Sequence, residues 1–393
     1  MNNLNKINTK QINLLQVLPH LNSGGMVSGA IEIANFLKNN GGNSVLVSTG
    51  GYRESEVLKN NCISIHLPMD TKNPISIYRN KNNLISIIKK YNINIVHARS
   101  RAPAWSAYLA TKKLNIAFIT TFHGTYGIEN ILKKKYNEVM LKGNYVIAIS
   151  KFIKEHIRQE YEKSDNVFVI PRGINENFFS PEKVTVARII STAKKIKTDE
   201  FKKTILMPAR LTSWKGHEIA IRSIALLKDI NLKLIILGDS QKRFNYKKYL
   251  EKLVSKLNLN NKVLFLEQTR DLPAFLMLAD LVISCSTKPE AFGRTVLEAQ
   301  AMGRPVLAFN HGGSVELVND NKNGILSKPF DIKEFANNIK KALSMSLPER
   351  EKLSKESIYN VQKKYLTSMM CQKTISLYQK LLLKQKNAKD SYN

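Results

Sequence analysis

Short apolar runs alternate with amphipathic segments along most of this chain, and the alternation breaks once. In the first half the runs are Ile12–Leu18, Ser44–Ser48, Ile63–His66, Ile95–His97, Ala117–Thr121, Tyr145–Ile149 and Val167–Ile170. Between them lie stretches with apolar residues at helical spacing, for example Val27–Lys38 and Lys81–Tyr91. Repeated strand–helix units of this kind predict an α/β fold of parallel sheets covered by helices. From about Asn175 to Lys203 the pattern gives way to a polar, charged segment, which reads as a connection with a short helix. A second series comes after it, with strands at Thr204–Pro208, Lys233–Leu237, Val263–Phe265, Leu281–Cys285 and Pro305–Ala308. Its helices fall at His217–Lys228, Lys247–Leu257, Leu272–Leu278 and Arg294–Met302. The chain then ends in a helix carrying Tyr365, Met369, Tyr378, Leu381 and Leu382, and a loose tail. The expected division is a domain over 1–175, a connection over 176–203, a second domain over 204–365, and a helix with tail over 366–393. A length of 393 residues suits two domains, each with its own core.

Two doubly wound domains leave a cleft, and ligands in such folds sit beyond the C-terminal ends of strands. Functional side chains are therefore expected in the loops just after strands. Other classes recede. No apolar run approaches the roughly 20 residues that span a bilayer, and Gln16 and Pro19 interrupt the first apolar segment. That segment reads as a strand rather than a signal peptide, so a cytoplasmic protein is expected. Three widely spaced cysteines, Cys62, Cys285 and Cys371, argue against a disulfide framework and a zinc site. The net charge of +30 has a compositional reading, a surface rich in solvated lysine, and a functional one, an anionic partner. No nucleic-acid-binding module accompanies the charge.

Two segments carry the chemistry. In ILMPARLTSWKGHEIAI, residues 205–221, Arg210 comes after a strand and Lys215 stands just before a helix. Two cations at a helix start can neutralise the charge that grows on a leaving diphosphate; arginine forks two oxygens and lysine acts as a point charge. In SCSTKPEAFGRTVLEAQAMGRPVLAFNHGG, residues 284–313, Glu290 precedes a helix and Glu298 lies within it. The backbone N–H groups of Gly293, Arg294 and Thr295 are helix-start donors suited to an anion. Each carboxylate can accept from both hydroxyls of a vicinal diol, one on a ribose and one on a hexose.

PEAFGRTVLEAQAMGRPV resembles the Glu–seven residues–Glu motif of family-four retaining glycosyltransferases, the glycosyl transferases group 1, and PARLTSWKG resembles their Arg–Lys phosphate motif. The resemblance runs in the expected order from about Leu14 to Leu326. It implies the GT-B architecture, two Rossmann-like domains facing each other across a cleft, with the donor mainly on the second and the acceptor mainly on the first. By motif position it places Glu298 on the ribose, Glu290 on the transferred sugar, and Arg210 and Lys215 on the diphosphate. Phe292, Gly293, Arg294 and Thr295 join the donor site. Gly238 matches the family's glycine after the second strand of this domain, and Glu267–Arg270 is expected by the nucleobase. HLNSGGMVSGAIEIA resembles the glycine-rich first loop, with Gly24 and Gly25 at the donor phosphate or acceptor. His123 in TTFHGTYG resembles the family's sugar-contacting histidine, without a role as base. NVFVIPRGIN resembles the domain-end motif and carries Arg172.

Arg99 and Arg101, in HARSRAPAW, have two readings: contacts for an anionic glycan or lipid-linked acceptor, or helix-cap and surface arginines. The basic stretch 128–142 is likewise either a solvated face or a patch for the anionic inner face of a membrane. No Asp-x-Asp triplet occurs, which with Arg210 and Lys215 leads to an expectation of catalysis without metal or other cofactor. The expected reaction is transfer from a nucleotide-diphosphate sugar to a surface glycan such as lipopolysaccharide. A sugar-nucleotide epimerase of the same two-domain form is the competing enzyme reading.

Overall fold

The computed structural model describes residues 9–22, 24–163, 165–197, 202–240 and 244–390, with the side chains of 388–390 undescribed. The residues before Thr9, part of the connection at 198–201 and the last three residues of the tail lie outside these ranges. The chain divides into two units, Met1–Gly173 with Thr367–Asn393, and Ile174–Leu366.

Among the described residues the first unit holds seven strands: β1 Asn13–Val17, β2 Asn43–Ser48, β3 Ile63–His66, β4 Ile95–Ala98, β5 Ala117–Phe122, β6 Tyr145–Ala148 and β7 Val167–Val169. They form one parallel sheet in the order β3-β2-β1-β4-β5-β6-β7. The central strands are apolar because helices cover both faces. Ile12, Leu14, Ile95, Ile119 and Ile147 pack on one side, and Leu18 and Leu46 belong to a cluster with Val27, Ala30 and Ala34 of the first helix.

The second unit holds β8 Lys203–Pro208, β9 Leu232–Leu237, β10 Val263–Leu266, β11 Leu281–Ser284, β12 Val306–Phe309 and β13 Ile325–Ser327, again all parallel, in the order β10-β9-β8-β11-β12-β13. In each sheet the winding reverses once, between β1 and β4 and between β8 and β11. Loops diverge there, and a crevice opens beyond the C-terminal ends of the two strands.

The helix expected within the connection is present as amphipathic Val186–Ile196, and it packs on Leu272–Leu278 of the second unit. Arg188 pins that contact through Asp271, at 2.5 and 2.9 Å. The terminal helix, Thr367–Asp390, belongs to the first unit, where Met370, Cys371, Ile375, Tyr378 and Leu381 complete the core. The Tyr378 hydroxyl bonds His97 Nδ1 at 2.5 Å, and His97 Nε2 meets the Thr121 hydroxyl at 2.7 Å.

Among the described residues five of the eight non-glycine residues with positive φ are asparagines: Asn61, Asn92, Asn115, Asn258 and Asn321. A short amide side chain tolerates the left-handed region, so some of the chain's asparagine closes turns and helix ends. Among the described residues no helix is long and apolar enough to cross a membrane.

Candidate functional site

β8 and β11 are neighbours at the reversal of the second sheet, and the two charged motifs come directly after them. After β8 the chain runs through Arg210 into a short 3₁₀ turn, Ser213–Lys215, and then into the helix His217–Ala225. Gly216 joins turn to helix at φ 80°, and a Cβ there would collide with the Cys285 carbonyl. Only glycine lets the two loops come this close. Thr287 N–H donates to the Trp214 carbonyl at 2.7 Å and locks the loops together. Cys285 is core, as its apolar run suggests: burial pushes its thiol up to about 12, and its Sγ lies 3.2 Å from the Gly216 carbonyl.

The closeness of the loops brings Lys215 onto Glu290. The ammonium donates to Glu290 Oε1, which also accepts from Ser286 Oγ at 2.5 Å. The two side chains are 15% and 17% exposed, enough to reach a ligand while largely shielded from water. The Trp214 ring lies 4.3 Å from Lys215 Nζ and adds a cation–π contact. Arg210 is exposed, and among the described residues its side chain makes no hydrogen bond or ion pair.

Gly293, at φ 94°, starts the helix Arg294–Ala301, and no side chain caps that start. Glu298 is buried one turn in and accepts from Arg294 Nε at 2.7 Å. Thr295 bonds the Pro208 carbonyl at 3.2 Å, tying this helix to the end of β8. The Phe292 ring is buried edge-on to Tyr365. Gly238 lies against the Ala209 carbonyl, where no side chain fits, and Leu211 N–H bonds the Asp239 carbonyl at 3.0 Å. Glu267 and Arg270 are exposed beyond β10.

Sequence reading assigned no part to Ser286 or to the loop after β12. Gly313 N–H donates to the Glu290 carbonyl at 2.7 Å, and His311 Nε2 bonds the Ser286 carbonyl at 2.8 Å. The double glycine closing the long motif was the available signal, since Gly312 and Gly313 both lie against the 289–292 backbone.

The loops after the strands of the first sheet carry the other assigned residues. Gly24 and Gly25 begin the helix after β1, Gly24 at φ 121°. Arg99, at the end of β4, is 2% exposed, and its guanidinium donates to Gln16 Oε1 through Nε at 3.0 Å and through a second nitrogen. That location suits a structural arginine rather than an open acceptor contact. Arg101 stacks its guanidinium 4.4 Å from the Tyr126 ring and donates to Asn137 at 2.9 Å. His123 stands after β5 with Nε2 sealed from solvent, and burial, then Arg172 and Arg99, hold its ring well below the usual histidine range. That environment disfavours the protonated ring. Arg172 is buried, donating to the Gly25 carbonyl at 2.7 Å with Glu32 at 3.6 Å. The basic stretch forms a short helix, Ile131–Asn137, with Ile131 and Leu132 74% and 80% exposed beside its lysines.

Against known families, residues 189–359 match the model for glycosyl transferases group 1, and residues 23–178 match that for glycosyltransferase family 4. A glycosyltransferase crystal structure from Rickettsia africae superposes with a TM-score of 0.89 at 37% identity, covering 94% of this chain and 98% of that one. Anabaena HepE, solved in complex with UDP and glucose, gives 0.82 at 20% identity, over 94% of this chain and 100% of HepE. An uncharacterized glycosyltransferase of Methanocaldococcus jannaschii is 33% identical over 242 residues, 59% of this chain. The match spans 59% of that curated relative's length.

Proposed function

This chain belongs to the glycosyl transferases of group 1 and has their GT-B fold, and from that premise we propose that it moves a hexosyl residue from a nucleotide-diphosphate donor, with retention at the anomeric carbon and without a metal ion. The observation that carries the reading is the meeting of Lys215 and Glu290 at the reversal of the second sheet, with Arg210, unpartnered among the described residues, shortly before Lys215 in sequence and Glu298 one turn into the helix after Glu290. In this reading Arg210 and Lys215 hold the diphosphate and take up the charge that develops as the glycosidic bond breaks. Glu290 keeps the lysine oriented through one oxygen and reaches the sugar. Glu298, held by Arg294, accepts from the ribose hydroxyls. Backbone N–H groups at Gly293, Arg294 and Thr295 add donors, and Gly238 gives the room that a side chain would take. The UDP and glucose in the HepE structure support a donor of this class.

The first unit receives the acceptor, with Gly24, Gly25 and Arg101 at its strand ends and His123 as a neutral sugar contact. A lipid-linked surface glycan, lipopolysaccharide included, fits the exposed Ile131 and Leu132 beside Lys133, Lys134 and Lys135, a composition suited to the cytoplasmic face of an anionic membrane. The test is a thermal-shift panel of nucleoside diphosphates and their sugars, then turnover with the best donor in EDTA and NMR of the product linkage. The expected result is undiminished turnover with the donor's anomeric configuration kept. Loss in EDTA that manganese restores, or an inverted linkage, overturns it.

A further inference from the structure

A cavity of about 440 Å³ opens at the opposite edge of the second sheet, before the strands begin rather than after they end. Ala279 and Asp280 line it ahead of β11, and Gly303, Arg304 and Pro305 line it ahead of β12. Arg350, Glu351, Ser354 and Lys355, from the helix Leu347–Lys364, close the other wall. Four-residue β11, at about 3.3 Å per residue, puts some 13 Å of strand between this cavity and the loop of Glu290.

The wall carries three cations, Arg304, Arg350 and Lys355, against two carboxylates, Asp280 and the exposed Glu351. Asp280 is fully engaged: it accepts from Thr204 N–H at 2.8 Å and Arg350 at 3.1 Å, with Lys203 at 3.7 Å. Arg350 is likewise spent on Asp280 and the carbonyls of Leu343 and Met345. Arg304 is different. Among the described residues its five N–H donors find only the Met302 carbonyl, at 3.2 Å, and the Met277 thioether, at 3.3 Å. A thioether is a weak acceptor, and no carboxylate among the described residues lies within ion-pair distance of this guanidinium. A largely buried cation with so few acceptors carries a desolvation cost that an anion in the cavity would offset. Lys355 is exposed on the same wall, and the Ser354 hydroxyl is beside Gly303.

We propose that this cavity is an anion site, separate from the donor site, that takes a phosphate group between Arg304 and Lys355. The guanidinium forks two oxygens, the ammonium supplies a point charge, and Ser354 donates a hydroxyl. Either free phosphate or the phosphomonoester of a sugar or nucleotide satisfies that chemistry.

The test is calorimetric titration of inorganic phosphate into the full-length chain carrying Arg210→Gln and Lys215→Gln, which silences the proposed donor site. Binding is expected to persist there and to weaken about tenfold or more on adding Arg304→Gln, and by less on adding Lys355→Gln. Circular dichroism checks folding, and if Arg304→Gln unfolds the chain, the exposed Lys355→Gln carries the test. Absence of binding in the Arg210→Gln, Lys215→Gln chain, or binding indifferent to Lys355→Gln and folded Arg304→Gln, overturns the proposal. These outcomes do not bear on donor turnover, so failure here is distinct from failure of the glycosyltransfer reading. Tighter binding of glucose 6-phosphate or a nucleoside monophosphate than of phosphate assigns the site to a phosphomonoester, the reverse to free phosphate; both support it.

Discussion

The two sheets reverse their winding at corresponding places, between β1 and β4 and between β8 and β11, yet the side chains there are used in opposite ways. In the second unit a lysine and a glutamate meet within reach of solvent, and a nearby arginine has no partner among the described residues. In the first unit an arginine at the end of β4 is buried against the neutral amide of Gln16. The same topology therefore supports a charged edge within reach of solvent and a closed polar core. The loops after the strands make the difference. Those of the second unit use turns and glycines that let their tips touch, with the charged groups held near solvent. In the first unit the guanidinium of Arg99 turns back onto a residue of the neighbouring strand β1.

The sharpest break between the two regions is catalytic. Lys215→Ala should lower kcat by about a hundredfold, on the order of 3 kcal/mol, while weakening donor binding less. Arg210→Ala should act in the same direction. Initial rates beside calorimetric donor affinity decide the matter, and near-normal kcat in folded variants places the phosphate site elsewhere. Arg99→Ala should instead act on stability, by roughly 2 kcal/mol, because Gln16 loses its partner in a buried setting. Urea unfolding measures it. An Arg99→Ala chain of unchanged stability but weakened acceptor use would erase the contrast.

Glu298→Gln comes next. It removes the charge that Arg294 holds and should weaken donor affinity by about tenfold with little change in kcat. A fall confined to kcat would move Glu298 from the ribose to the reacting centre. The smallest effect is acid sensitivity. Burial pushes His217 down to about 4 and holds His97 and His123 well below the ordinary range. A histidine depressed in the folded state binds its proton more readily when unfolded. Its stabilising contribution is present above about pH 6.5 and is lost as pH falls towards the folded value. Calorimetric scans at pH 7 and 5 should show a lower Tm at pH 5, by roughly 2–4 °C per kcal/mol lost, with the first unit moving more. An unchanged Tm would mean that these rings are hydrated.

The sequence carried the fold well where strands were long apolar runs bounded by glycine or polar loops, so β8 and β9 were legible to within a residue. Of the edge strands, β3, β7 and β10 were read to within a residue, and β13, Ile325–Ser327, was missed. The first turns of the helix Pro74–Lys90 were also missed, although Asn73 caps it through Ile75 and Ser76 N–H and Pro74 fixes its first φ. Lys215 and Glu290 could be named from spacing and resemblance, but their direct pairing could not, because 75 residues separate them. The burial of Arg99 was equally invisible: its partner is a glutamine on a different strand.

The placement of Tyr378 against His97 has a consequence for how the protein is made. Synthesis proceeds from the amino end, so the strands of the first unit emerge long before the helix that seals them. The entire second unit, Ile174–Leu366, is translated in the interval. During that time Ile12, Leu14, Ile95 and Ile119 lack the cover later given by Ile375, Tyr378 and Leu381. The unit encoded second thus has its whole sequence available first, and the unit encoded first waits until the helix from Thr367 has been translated. A ribosome stalled before Thr367 presents one finished unit and one with an open apolar face, the kind of nascent chain that chaperones bind.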